Sequence, residues 1–171
     1  MFDASTTALF YQGKRVGELD SKMTLAFNAI TTTFKGTTFS VDDVEFKGQL
    51  TNYLLTVNSN PSSITVIANE EGITLNVNLS LHCKISDHSA DGSNESLSQN
   101  TPLPFDVKIK AENFFKENII KVFNESKRSN CDVFNIKEKL YRFNYKQYSK
   151  YKDNYFSLCS LNVNVSVEGQ R

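Results

Sequence analysis

The sequence predicts an α+β domain, an antiparallel-rich mixed β-sheet with two or three helices packed on one face. Three observations carry this expectation. Residues Ile73 to Ile85, ITLNVNLSLHCKI, alternate strictly, with apolar residues or cysteine at odd positions and polar ones at even positions, the pattern of a half-buried strand. The end of the chain repeats it: Cys159, Leu161, Val163, Val165 and Val167 face one way, and Ser160, Asn162, Asn164, Ser166 and Glu168 the other. Between the two lies LPFDVKIKAENFFKENIIKVFNESKR, in which Val107, Ala111, Phe114, Phe115, Ile119, Val122 and Phe123 recur at helical spacing. A stripe that broad needs a sheet beneath it.

The remaining elements follow in chain order. TALFYQ reads as a strand closed by a turn at Gly13-Lys14. LDSKMTLAFNAIT reads as a short helix, with Asp20 as its N-cap and Met23, Phe27 and Ile30 at helical spacing. TTFSVDDVEF is a weaker strand. Tyr53, Leu55 and Val57 alternate in one strand and Ile64 and Val66 in the next. The intervening NSNPS has turn chemistry, so these two are expected to form a hairpin. Strands 62–69 and 73–85 are joined by NEEG and are expected to pair as neighbours. The polar run from Ser86 to Pro102 has the composition of a loop, and Thr101 before Pro102 is a helix-start signal. Strand parity puts Cys83 and Cys159 on core faces, where they are expected as two buried thiols.

Composition bounds the function. The chain of 171 residues suits one domain, spanning 1–171. Lys plus Arg total 19 and Asp plus Glu total 19, so no global field draws the protein to nucleic acid or an anionic surface. No apolar run is long enough to cross a bilayer as a helix. Cys83, Cys131 and Cys159 lie far apart without C-x-x-C spacing. His82 falls on the polar parity of its strand and His88 in the polar run, so neither reads as a held general base. Asp42, Asp43 and Glu45 sit close together but lack the spacing of a calcium loop. Neither a glycine-rich phosphate loop nor a G-x-S-x-G elbow is present. No catalytic, cofactor-binding or metal-binding residue is therefore assigned.

One stretch remains, DVFNIKEKLYRFNYKQYSKYKDNYF, residues 132–156, with five of the seven tyrosines threaded between six Lys or Arg residues. Such interleaving can bind single-stranded nucleic acid, the charges tracking phosphates and the rings stacking on bases. It can equally be a helix that packs its rings inward. Tyr141, Tyr145, Tyr148 and Tyr155 follow an i, i+4, i+7, i+14 pattern, and Asp132, Glu138 and Asp153 offset the positive charge, which favours packing. Lys139, Arg142, Lys146 and Lys150 are then the exposed basic positions and the candidate interaction surface.

Three blocks in order resemble a known family. ALFYQGKRVGELD is similar to its opening strand and the VG that leads into a short helix. IIKVFNESKRSNCDVFNIKEKLYR is similar to its long helix, D-x-F element and second helix. LNVNVSVEGQR is similar to its closing strand ending in a glycine. The family is the Ger(x)C lipoproteins, C subunits of nutrient germinant receptors in spore formers, and the resemblance is to their C-terminal domain. Where the family commonly has glycines after D-x-F, this chain has Asn135 and Ile136, and asparagine tolerates the left-handed backbone a turn there needs. Where the family carries a tryptophan before the last strand, Tyr148 or Tyr151 takes the place. The resemblance implies a non-enzymatic receptor subunit that works with other membrane subunits, with no nucleic acid expected. It implies a location on the outer face of the spore inner membrane, through an N-terminal lipid anchor expected upstream of Met1. A soluble binding module for single-stranded nucleic acid or a small ligand is the alternative.

Overall fold

In a computed structural model that describes residues 6–46, 48–90 and 102–169, the chain opens with β1 (Thr7–Tyr11) and β2 (Lys14–Leu19), a separate antiparallel hairpin. Its turn is Gln12-Gly13, both at positive φ (49° and 77°), the left-handed pair that matches strand twist. Helix α1 (Ser21–Thr31) follows, and Asp20 Oδ1 accepts from Met23 N–H at 2.8 Å, the N-cap the sequence predicts. Its buried side chains are Thr24, Ala26, Ala29 and Ile30. Met23 and Phe27 are only half-buried, so the predicted stripe lies at the margin of the true one.

The main sheet contains β3 (Thr38–Phe46), β4 (Gln49–Ser59), β5 (Ser62–Ala68), β6 (Ile73–Ala90) and β7 (Cys159–Gly169). It is mixed: β6 pairs antiparallel with β4 and β5 and parallel with β7, while β3 pairs antiparallel with β4. The expected pairing of residues 62–69 with 73–85 is present, from Ser62 with Leu79 to Ala68 with Ile73.

The expected hairpin of β4 and β5 is not formed. β4 follows β6 from Thr51 opposite Ala90 to Ser59 opposite His82, and β5 resumes from Ser62 opposite Leu79. Ser80 N–H donates to Pro61 O across the gap at 2.9 Å. The two strands thus lie end to end along one edge of β6. The turn chemistry of NSNPS serves another purpose: Asn60 Nδ2 donates to Ala29 O (2.9 Å) and Thr32 O (2.8 Å), and its Oδ1 accepts from Phe34 N–H at 3.0 Å. Asn60 satisfies main-chain groups at the exit of α1, which otherwise lack partners.

A second correction concerns the polar run. Residues Ser86 to Ala90 continue β6, because β4 supplies a template opposite them: Leu54 pairs with Asp87 and Thr51 with Ala90. His88 therefore stands on a strand, and its side chain lies outside what is described. Residues 91–101, with the helix-start residue Thr101, lie outside the described residues. Helix α2 (Phe105–Arg128) has Pro104 at its N-cap position.

The core sits between the sheet and α2. Val107, Ala111, Phe115, Ile119, Val122 and Phe123 are buried, and Phe114 is half-buried. From β6, Ile73, Leu75, Val77, Leu79, Leu81 and Cys83 face this layer, as the alternation requires. Cys83 pairs in register with Gly169 and Cys159 with Ile73, so the two thiols stand at opposite ends of the β6–β7 ribbon, buried and unbridged. Gly169 is tied to this packing, since a Cβ there would stand 3.2 Å from the Leu103 main-chain nitrogen.

After α2 the D-x-F element turns the chain. Asp132 accepts from Ile136 N–H (2.8 Å) and Lys137 N–H (2.9 Å), closing the open N-terminus of α3 (Ile136–Phe143). Phe134 is 1% exposed and meets Phe27 and Phe123 edge-on, with centroids at 6.0 and 6.1 Å. Asn135 has φ 54° and ψ 43°, the left-handed conformation in which asparagine stands in for glycine. Asn135→Gly is expected to leave stability within about 0.5 kcal/mol, while Asn135→Val costs about 1–2 kcal/mol. Urea denaturation of the two variants checks this.

Candidate functional site

The Tyr/Lys stretch is predicted as one helix and is found as three: α3, α4 (Tyr145–Tyr151) and α5 (Tyr155–Leu158). The first break is at Asn144, whose side chain pairs with the edge of β5 as a strand would. Its Nδ2 donates to Val66 O at 2.9 Å and its Oδ1 accepts from Ala68 N–H at 3.2 Å. Those bonds satisfy an exposed strand edge and redirect the chain by a residue that disfavours helix interiors.

That redirection decides which rings face inward. Tyr151, outside the predicted tyrosine array, is buried, and its hydroxyl donates to Asn69 O at 2.7 Å. Of the two residues expected to fill the tryptophan's place, it is the one the core takes in. Tyr148 and Tyr155 are half-buried, and Tyr155 is held near Asp132; burial, followed by the carboxylate, pushes its hydroxyl pKa up. Tyr141 and Tyr145 are exposed, contrary to the expectation that they seal the helix. They cluster instead, Tyr141 meeting Tyr145 and Tyr148 edge-on at 5.6 and 5.1 Å. Phe143, next to Asn144, is 75% exposed.

The four basic positions fall on α3 and α4, but the structure uses three of them internally. Lys139 Nζ donates to Phe134 O at 2.9 Å, bracing the D-x-F turn. Arg142 pairs with Glu138 one helical turn away at 3.0 Å, a surface bridge of small energetic weight. Lys150 Nζ donates to Glu70 O at 3.0 Å and lies 3.4 Å from Glu70 Oε2, clasping the β5–β6 turn. Lys146 is exposed and has no such tie among the described residues. The surface thus presents the paired rings of Tyr141 and Tyr145 and, on the same short stretch of chain, the exposed Arg142, Phe143 and Lys146. Phe143 was missed because its position in sequence looks like a helix interior. The signal that could have found it was Asn144 in the middle of an otherwise helical run.

Elsewhere the residues expected to be idle have structural ties, through the main chain at Asp42 and Asp43 and through the side chain at His82. The carbonyls of Asp42 and Asp43 both accept from Lys110 Nζ, where β3 bulges between Val41 and Val44. His82 Nδ1 stands 4.0 Å from Glu168 Oε2 on the outer face of the sheet. Among the described residues, no group of three His, Cys, Asp or Glu side chains converges as a metal site would require. An open groove of about 570 Å³ lies between α1, β3 and α2, lined by Lys22, Leu25, Phe39, Lys110, Phe114 and Glu117 among others.

With this geometry in hand, comparison with known proteins places the chain. No curated protein sequence matches it. Among solved structures, the crystal structure of the GerBC protein is similar, with a TM-score of 0.58 and 12% identity over 93% of this chain and 48% of that one. At that identity the likeness establishes the fold, and the chain spans about half the length of the GerBC chain. The family model for spore germination B3/GerAC-like proteins, C-terminal, matches residues 5–170, and the chain belongs to that family.

Proposed function

We propose that this domain is the C-terminal part of a spore nutrient germinant receptor C subunit and acts without catalysis, as a contact module in receptor assembly and germination signalling. The observation that carries the reading is the family match across nearly the whole chain. No helix of the described residues is long and apolar enough to cross a membrane. Placement on the outer face of the spore inner membrane would rest on a lipid anchor carried outside this domain. A single acyl chain holds a protein only marginally at a bilayer, so contacts with the receptor's other membrane subunits would carry much of the attachment. Tyr141, Phe143, Tyr145 and Arg142 are of the residue types enriched at protein interfaces.

Reversing charge at Lys139, Arg142, Lys146 and Lys150 together is expected to lower receptor-subunit levels in spores and slow nutrient germination. Because Lys139 and Lys150 also brace the fold, the pair Arg142→Glu and Lys146→Glu is the sharper test. It leaves those braces in place and is expected to give the same direction of effect. Unchanged subunit levels and germination rate in both variants overturn this surface. Nothing in the geometry favours single-stranded nucleic acid, since Tyr141 is engaged by neighbouring rings and Lys139 and Lys150 by carbonyls. A gel shift at low salt, where such binding is strongest, is expected to show none.

A further inference from the structure

β7 is an edge strand, and the guarding of its edge points to what pairs with it. On β6 the even residues turn their main-chain groups toward β5, as the bond from Ser80 N–H to Pro61 O requires. The odd residues therefore turn toward β7. In the parallel register of Ile73 with Cys159, the β7 residues that answer them are even, and the odd residues of β7 direct N–H and C=O outward. Side chains of α2 take the outward groups at both ends: Cys159 O accepts from Lys127 Nζ at 2.8 Å, and Val167 N–H donates to Glu112 Oε1 at 3.0 Å. Between them, β7 pairs with no strand but β6 among the described residues, and the outward groups of Leu161, Val163 and Val165 are left open. An open edge of this kind is a template for another strand.

The sequence of that edge matches itself. Ser160 to Ser166 reads SLNVNVS, near-palindromic about Val163. In an antiparallel pair of two copies centred there, Val163 meets Val163, Leu161 meets Val165, Asn162 meets Asn164 and Ser160 meets Ser166. Parity agrees, because Leu161, Val163 and Val165 are the residues whose main-chain groups face out. On the polar face Asn162 Nδ2 donates to Asn76 Oδ1 and Asn164 Nδ2 to Asn78 Oδ1, each at 3.0 Å, so these amides are already partnered within the sheet and the main-chain and apolar groups carry the pairing. The same register sets Cys159 opposite Val167. Lys127 of each copy then stands beside Glu112 of the other, opposite charges meeting at both ends of the pair. On α2 between those two residues, Ile120 is 38% exposed.

We propose that the chain self-associates through β7 as a twofold antiparallel pair centred on Val163, joining two sheets into one. The main-chain groups, the apolar side chains and the flanking charges are self-complementary, as an isologous contact demands. The edge is short, so the expected dissociation constant is about 10–100 µM. This proposal is independent of the receptor reading, since it rests on β7 and α2 and is tested on the purified chain alone.

Sedimentation equilibrium from about 5 µM to 500 µM is expected to show a monomer–dimer equilibrium in that range. The double variant Asn162→Lys, Asn164→Lys, which sets lysines opposite one another on the solvent face, is expected to weaken it about tenfold or more. Ile120→Asp, on the outer side of α2, is expected to do the same and serves if the double variant fails to fold. Register is read by cross-linking in a Cys131→Ser background. Opposed residues of a non-hydrogen-bonded antiparallel pair stand about 4.5 Å apart at Cα, within disulfide reach. Asn162→Cys with Asn164→Cys should therefore oxidise to a covalent dimer, and either single variant alone should not. A monomer at every concentration, or single variants that cross-link as well as the double, overturns the proposal.

Discussion

Phe115→Ala is expected to lower the unfolding free energy by about 4 kcal/mol. Phe115 is fully buried, and its ring is met edge-on by Phe39 at 5.1 Å, Phe114 at 5.3 Å and Phe34 at 6.4 Å. Truncation removes the transfer energy of one aromatic ring and leaves a cavity whose walls are themselves rings, which relax poorly into the space. Those neighbours tie separate parts of the fold together. Phe34 follows the Asn60-capped exit of α1, and Phe39 lies in the first residues of β3, just after Gly36 N–H donates to Val57 O at 2.7 Å. Losing the hub loosens α1, β3 and α2 together. Phe114→Ala, one position along but half-buried, should cost about 1–2 kcal/mol. Urea denaturation with a common m-value measures the pair, and equal losses would mean that the ring cluster is not centred on Phe115.

Most of what was legible in the sequence was local or periodic. The alternations of β6 and β7, the stripe of α2 and the cap at Asp20 follow from residue type and spacing, the left-handed Asn135 follows from the family resemblance at the D-x-F element, and each stands where expected. What was not legible depends on partners distant in sequence. Asn60 reads as a turn residue until its bonds to Ala29 and Thr32 are seen, and Asn144 reads as helix until its bonds to Val66 and Ala68 are seen. Both are asparagines whose amide imitates the main chain, so local propensity points one way and tertiary context the other. Residues Ser86 to Ala90 are strand because β4 lies opposite them, though their composition is that of a loop. The short, charged β2 gave no alternation to read. At the candidate surface, tyrosine spacing indicated an amphipathic helix, but the break at Asn144 changed which rings face out. Lys139, Arg142, Lys146 and Lys150 all fall on helices, yet nothing in the sequence separates Lys146, which has no such tie among the described residues, from Lys139 and Lys150, which donate to carbonyls.

Raising the pH above about 9 is expected to destabilise the domain progressively through its buried thiols. Burial pushes the Cys83 thiol up to about 12 and the Cys159 thiol up to about 11, from an ordinary value of 9.0; at Cys159 a bond involving Leu75 and the nearby Lys127 charge work the other way without prevailing. In the unfolded chain both groups ionise near their ordinary value, while the folded chain keeps them neutral. Below that value neither state loses a proton and the full stability is present. Above it the unfolded state gives up protons the folded state retains, so stability falls by about 1.4 kcal/mol per pH unit for each thiol until its folded pKa is reached. Cys159 thus stops contributing near pH 11 and Cys83 near pH 12. Tyr53, also raised by burial, adds a loss of the same sign from about pH 10. Lysines and other groups titrate in this range too, so the informative quantity is a difference between variants. Cys83→Ala should cost about 1 kcal/mol at pH 7 for the lost sulfur contacts, and then lose stability more slowly than the parent as pH rises. The two urea midpoints should converge as the pH rises above about 9 and cross at about pH 9.7. Parallel decline over the same interval would mean that the Cys83 thiol reaches solvent at the far end of the β6–β7 ribbon, against its complete burial beside Gly169.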